Sequence, residues 1–158
     1  MSLTSINYIR GDATEPNYSG NKIIVHVCNN VGAWGAGFVL SISKKWKEPE
    51  IQYYNWYNSQ SDFRLGAVQF VAVEKSIWVA NLIGQHNLVP DENKNPPIRY
   101  NAISEGLESI GEFAIKKNAT VHMPRIGCGL AGGTWEKIEP LLQKHLLNKN
   151  IKVFVYDL

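Results

Sequence analysis

The chain has 158 residues, 44% apolar and 19% charged, and carries a formal net charge of +2. These totals describe one soluble globular domain over 1–158, long enough to bury a core. They argue against an electrostatic nucleic-acid binder, because the sixteen basic residues are dispersed and only Lys44-Lys45, Lys47 and Lys116-Lys117 cluster. No apolar run approaches the ~20 residues of a membrane-spanning helix, and nothing resembles a signal peptide, so no membrane partner and a cytoplasmic location are expected. The two cysteines, Cys28 and Cys128, fit a reducing compartment and form no C-x-x-C pair, so no metal site is expected.

In chain order, the alternation over 6–9 predicts a first strand ending at Gly11-Asp12, a turn-forming pair. The apolar run around Ile23-Ile24-Val25 predicts a buried strand over 23–28. Phe38, Val39, Ile42 and Trp46 recur at helical spacing, which predicts an amphipathic helix over 36–46. A second helix starts at Pro49, with Ile51, Tyr54 and Tyr57 on one face. The segments 67–74 and 77–83 read as strands joined by the tight Lys75-Ser76 connection, hence a hairpin. The polar, proline-bearing stretch 91–97 reads as a surface loop. A helix over 99–116, a strand over 118–123, a helix over 133–147 and a last strand over 151–156 complete the chain. Pro140 conflicts with the last helix and predicts a kink or an early stop. The order β-β-α-α-β-β-α-β-α-β predicts an α/β fold with helices on both faces of a mixed sheet.

Two strand-to-helix connections are rich in glycine. The first, His26 to Phe38 (HVCNNVGAWGAGF), carries Gly32, Gly35 and Gly37. The second, Met123 to Trp135, carries Gly127, Gly129, Gly132 and Gly133. Backbone N–H groups at such turns converge on anions, and the following helix dipole adds to the attraction. One such loop alone could serve packing only. Two suggest opposite walls of a cleft for a diphosphate, beyond the carboxyl ends of the strands.

Gly127-Cys128-Gly129-Leu130-Ala131-Gly132 satisfies G-x-G-x-x-G, but only one strand follows it, so a dinucleotide-binding Rossmann domain has no second half. There is no G-x-x-x-x-G-K-[ST] either. Candidate acid–base groups are His26, which could equally be a buried structural histidine, and His86, if its loop folds inward. Asn29 could orient a hydroxyl or a water, or simply cap a turn. Both cysteines read best as small apolar residues packed under backbone turns.

At these residues the sequence resembles the macro domain family, over essentially its whole length. The resemblance rests on Tyr8-Ile9-Arg10-Gly11-Asp12, on the first glycine loop, on PRIGCGLAGG and the tryptophan after it at 124–135, and on the terminal VFVYDL. It implies a three-layer α/β/α fold with a mixed central sheet of about six strands, and a monomer that binds ADP-ribose or a derivative, including ADP-ribosylated protein, without a cofactor. Asp12 would meet the adenine amine, with Gly11 and Ala13 beside it and Tyr156 packing on the ring. Val27, Cys28 and Asn29 would line the distal ribose. Trp34, Gly35, Ala36, Gly37 and Phe38 would wrap the diphosphate and the distal ribose. Arg125, Gly127, Cys128, Gly129, Leu130, Ala131 and Gly132 would form the opposite phosphate wall.

The first loop looks most like yeast-type ADP-ribose-1″-phosphate phosphatases, and MPRIGCGL looks like the terminal ADP-ribose–protein glycohydrolase. That glycohydrolase uses a lysine and an aspartate where this chain has the Gly84-Gln85-His86 region and Ala131. The resemblance therefore implies a hydrolase of 1″-substituted ADP-ribose, either a phosphomonoester or an acyl ester, with a non-catalytic ADP-ribose reader as the alternative. His26, Asn29 and His86 are the candidate catalytic residues. A third idea is removal of ADP-ribose from a nucleobase or side-chain adduct.

Overall fold

The computed structural model describes residues 5–158. Six strands form one sheet in the order β1-β6-β5-β2-β4-β3. They are β1 (Asn7–Arg10), β2 (Asn21–Asn29), β3 (Val68–Glu74), β4 (Ile77–Gln85), β5 (Ala119–Met123) and β6 (Val153–Asp157). All neighbours are parallel except the β3–β4 hairpin, so the sheet is mixed. The helices are α1 (Phe38–Lys45), α2 (Glu48–Ser59), α3 (Tyr100–Lys117) and α4 (Trp135–His145), and a short 3-10 turn (Leu147–Lys149) precedes β6.

Side chains alternate across β2, and this period-two pattern splits the core. Ile23 and Val25 face α3 and α4, joining Leu107, Ile110, Ile138 and Leu142. Ile24 and Cys28 face α1 and α2, joining Val39, Ile42 and Tyr53. The architecture is the expected three-layer α/β/α sandwich. No helix among the described residues is long and apolar enough to cross a membrane.

Three local readings need correction. The first helix starts at Phe38 and not at residue 36, because Gly37 stands at its N-cap with φ 84°, a conformation outside the helix that favours glycine. The face of α2 is rotated. Ile51 is 53% exposed, whereas Tyr53 is fully buried and packs on Trp34 and Phe63. Pro140 neither ends nor shortens α4, which runs on to His145. Proline removes one N–H, but Pro140 is on the exposed side, and burial of Ile138, Leu142 and His145 holds the helix through it.

α3 packs tightly on Leu82 of β4 at Gly106. A Cβ built on Gly106 would sit 2.5 Å from Leu82 Cγ, and Leu82 is fully buried. Alanine gains about 1 kcal/mol over glycine in helix propensity, but overpacking a closed core costs about 1–3 kcal/mol. We therefore expect Gly106→Ala to lower stability by about 1 kcal/mol in urea unfolding. A more stable variant would show that the α3–β4 contact can relax.

Candidate functional site

β2 and β5 are adjacent parallel strands, and each runs at its carboxyl end into one of the glycine loops. From there the chain diverges: β2 leads to α1 on one face, and β5 leads to α4 on the other. Loops leaving neighbouring strands in opposite directions open a crevice between them. A cavity of about 750 Å³ lies there, within the range of small-molecule sites.

The structure brings many of the sequence candidates onto this cavity. His26, Val27, Cys28 and Asn29 line it at the end of β2. Gly35, Ala36, Gly37 and Phe38 form the α1 wall, and Arg125, Gly127, Gly129, Leu130 and Ala131 form the opposite one. α1 has no side-chain cap at its N-terminus, which opens toward the cavity at Phe38 and Val39. The second loop is braced on itself, with Gly133 N–H donating to Gly127 O at 2.7 Å and Gly132 N–H to Gly129 O at 3.0 Å. Gly127 has φ 73°, a conformation that favours glycine, and a Cβ there would press on the end of the Ile98 side chain at 2.5 Å.

Other candidates lie elsewhere. Trp34 is a core residue: its indole N–H donates to Ser43 Oγ at 2.7 Å, and its ring packs between His26 and Tyr53. Cys128 and Gly132 belong to the second loop but not to the cavity lining, since Cys128 Sγ turns back to Ile126 O and Gly132 packs against Pro96. His86 is exposed and bonded to Asn30 at 2.9 Å, and it is not on the lining, although Gln85 and Leu88 on either side of it are.

Gly11, Asp12, Ala13 and Tyr156 also fall outside the lining and form a separate corner at the β1 and β6 ends. Ala13, Phe154 and Tyr156 cluster there with Phe38, which joins this corner to the cavity. Asp12 Oδ1 accepts from the N–H and the hydroxyl of Thr14, both at 2.8 Å. Lys45 Nζ, at the end of α1, holds Thr14 O at 2.7 Å and so ties this turn to the cavity wall. Tyr156 is buried, and its hydroxyl points inward to His122 Nδ1 at 2.8 Å.

Asn29 organises the first loop. Its Oδ1 accepts from Val31 N–H at 3.0 Å and Ala33 N–H at 3.1 Å, while Nδ2 donates to Ala33 O at 2.7 Å. Tyr53, reaching up from α2, places its hydroxyl 2.9 Å from the same Oδ1. His26 is equally committed. Its Nε2 bonds to Asn81 Oδ1, whose amide nitrogen donates to Pro49 O and Gln69 Oε1. Asn81 thus presents an acceptor, and His26 carries its proton on Nε2. Burial pushes the His26 pKa down to about 4, only partly opposed by the Asn81 bond, so the ring is neutral at pH 7. Burial also pushes the Cys28 thiol up, away from the nucleophilic thiolate.

Arg125 is the charged side chain on the lining. It is paired bidentately with Asp157, at 2.7 and 2.9 Å, and lies 5.1 Å from the Tyr8 ring centre and 5.2 Å from that of Trp135. Among the described residues, no group of three or more His, Cys, Asp or Glu is arranged to hold a metal ion. The sequence reading missed Ala33, Val39, Gln85, Leu88, Pro124 and Ile126 on the lining. Strand register could have found Gln85, which pairs with Asn29 across β2 and β4. Leu88 had no signal.

No protein-family model matches the sequence. Individual proteins do. A Bacteroides thetaiotaomicron protein, described with its structure as of unknown function, is 55% identical, with 99% of each chain covered and a TM-score of 0.98. A macrodomain protein from Streptomyces coelicolor is 49% identical over 98% of this chain and 99% of its own, with a TM-score of 0.87. The mouse chromodomain-helicase-DNA-binding protein 1-like is 32% identical over 99% of this chain, although this chain spans only 18% of that protein. The ADP-ribose 1″-phosphate phosphatase of Lodderomyces elongisporus is 27% identical over 97% of this chain and 99% of its own. With the three-layer fold, the paired glycine loops and these similarities along the whole length, the chain belongs to the macro domain family.

Proposed function

We propose that the protein binds ADP-ribose in this cavity and hydrolyses derivatives substituted at the 1″ position, phosphomonoester or acyl ester, without a metal. One observation carries the binding half: two glycine loops leave adjacent strands for opposite faces and enclose one cavity between them. A diphosphate would lie between the N-terminus of α1 and the Gly127 to Ala131 backbone, where N–H groups and the helix dipole favour anions. The distal ribose would rest on Val27, Cys28 and Asn29. The adenine would extend past Phe38 toward Gly11, Asp12 and Ala13, with Tyr156 beneath.

The hydrolytic half is supported by similarity to the yeast ADP-ribose 1″-phosphate phosphatase over nearly its full length. The lining contains no carboxylate, and His26 is neutral and bonded. Catalysis would therefore rest on positioning a water beside Asn29 and Gln85 and on backbone stabilisation of developing charge. The same lining favours a second reading, an ADP-ribose reader without turnover, because none of its side chains is poised as a base at pH 7.

The test joins calorimetry with ADP-ribose to turnover assays on ADP-ribose-1″-phosphate and on an ADP-ribosylated glutamate peptide, with and without chelator. Saturable binding, weakened about tenfold in Arg125→Ala, is expected. Chelator-resistant release of phosphate or ADP-ribose supports the hydrolase. Binding with no release from either substrate supports the reader, and absence of binding would overturn both readings.

A further inference from the structure

At the amino ends of the parallel strands, opposite the cavity, four chain segments come together. Asn21 Nδ2 donates to Lys117 O at 2.7 Å, Lys22 N–H donates to Ser76 O at 2.8 Å, and Val121 N–H donates to Lys152 O at 2.9 Å. These contacts join the stretches 18–22, 74–76, 116–120 and 147–152, which are remote in sequence. Together they carry Lys22, Lys75, Lys116, Lys117, Lys149 and Lys152, against one carboxylate, Glu74. Glu74 is itself bonded to the Trp46 indole N–H at 3.0 Å. Lys75, Lys116, Lys149 and Lys152 are exposed, whereas Lys22 is buried and bonded to Gly20 O at 2.6 Å. Lysines that look dispersed along the chain are thus gathered by folding at one end of the sheet, four of them exposed.

The face is also concave. A second cavity of about 450 Å³ opens on it, lined by Lys149, Lys152, Asn118, Asn150 and the partly exposed Tyr18. Lys152 Nζ lies 3.0 Å from the Tyr18 hydroxyl, so cation and aromatic ring share one wall.

We infer that this face docks a single-stranded nucleic acid, held through its phosphates by the exposed lysines. A chain of regularly spaced phosphodiesters matches a groove rimmed with ammonium groups and amide donors. Tyr18 offers the kind of aromatic surface on which single-stranded sites stack bases. A flat anionic membrane has no such fit to a concavity. Along β2, the span from Asn21 on this face to His26 on the cavity is about 15 Å, at ~3.3 Å per residue. A docked strand therefore leaves the cavity open, and the surface can tether the domain near nucleic acid whether or not the cavity turns over its ligand.

The experiment is fluorescence anisotropy with a labelled 20-nucleotide oligothymidylate. Binding is expected at 25 mM salt and should weaken as salt rises, with log K falling against log [salt] at a slope of about −3 for four phosphates neutralised. The double variant K149E/K152E is expected to bind at least tenfold more weakly, with its melting midpoint and its ADP-ribose affinity unchanged. K94E/K137E, with the same charge change elsewhere, is expected to bind like the parent. The inference is overturned by no binding at 25 mM salt, by an equal loss in K94E/K137E, by competition from ADP-ribose, or by equal binding to polyglutamate or to phosphatidylserine vesicles.

Discussion

Acidification from pH 7 to pH 4 is expected to remove most of the folding stability of this protein, through two buried histidines. His26 and His122 are 2% and 0% exposed, and burial lowers the pKa of each to about 4, with the Lys22 charge adding to the effect at His122. His122 stacks on Phe154 and is bonded at both nitrogens, to Thr120 Oγ1 at 2.7 Å and to the Tyr156 hydroxyl at 2.8 Å. In the unfolded chain both rings return to the ordinary value near 6.5. The unfolded state therefore binds protons first as pH falls. The full stability is present above pH ~6.5, is lost between 6.5 and 4, and changes little below 4 from this source.

A drop of 2.5 pKa units corresponds to on the order of 3 kcal/mol per histidine, against about 5–15 kcal/mol for a typical domain. Urea unfolding at pH 7.5, 6, 5 and 4.5 measures this directly, and H122Q should show about half the dependence. A midpoint that does not move with pH would mean that the rings gain solvent or a partner on protonation.

Asn29→Ala is expected to lower stability by about 2–4 kcal/mol and to weaken ADP-ribose binding at least tenfold. The substitution strips the acceptor from two backbone N–H groups, at Val31 and Ala33, and the donor from Ala33 O. A backbone group left unmatched costs about 1–3 kcal/mol where it is buried, and because Val31 is exposed, water recovers part of the sum over these three groups. Tyr53 keeps only its 2.8 Å bond to Asn29 O. Since the loop carries Gly35, Ala36 and Gly37 into α1, its loosening reaches the cavity wall directly.

Asn29→Asp retains the acceptor but places a negative charge where the distal ribose of an anionic ligand is proposed to rest. It should recover part of the stability and none of the affinity. Thermal melts and calorimetry on both variants test this, and an unchanged melting point in Asn29→Ala would remove the clamp from the account. The clamp also makes Asn29→Ala a poor discriminator between a reader and a hydrolase. Gln85→Ala separates them better, because that side chain lines the cavity beside Asn29 and gives up a single 3.0 Å bond to Asn87 O. A hydrolase should lose rate with binding kept, and a reader should show little change.

Much of this protein was legible in the order of its residues. The period-two and period-3.6 patterns report which side of an element is apolar, and a layered α/β domain follows from their alternation. The two glycine loops mark the cleft because backbone with positive φ at a strand–helix junction favours glycine, as at Gly37 and Gly127. What the chain order does not encode is which neighbours a polar side chain will meet. His26 and Asn29 read as candidate chemistry because histidine titrates near neutrality and asparagine can orient water. Only the packing of Asn81 from β4 and Tyr53 from α2 shows that the His26 ring is bonded at Nε2 and that Asn29 braces the loop. Trp34 likewise sits in a ligand-like motif, yet Ser43 and Tyr53 draw it into the core. The gathering of remote lysines at the amino ends of the strands has the same origin. Local propensity is a property of neighbours in sequence, whereas burial, hydrogen-bond partners and surface charge are set by strand register and crossover topology.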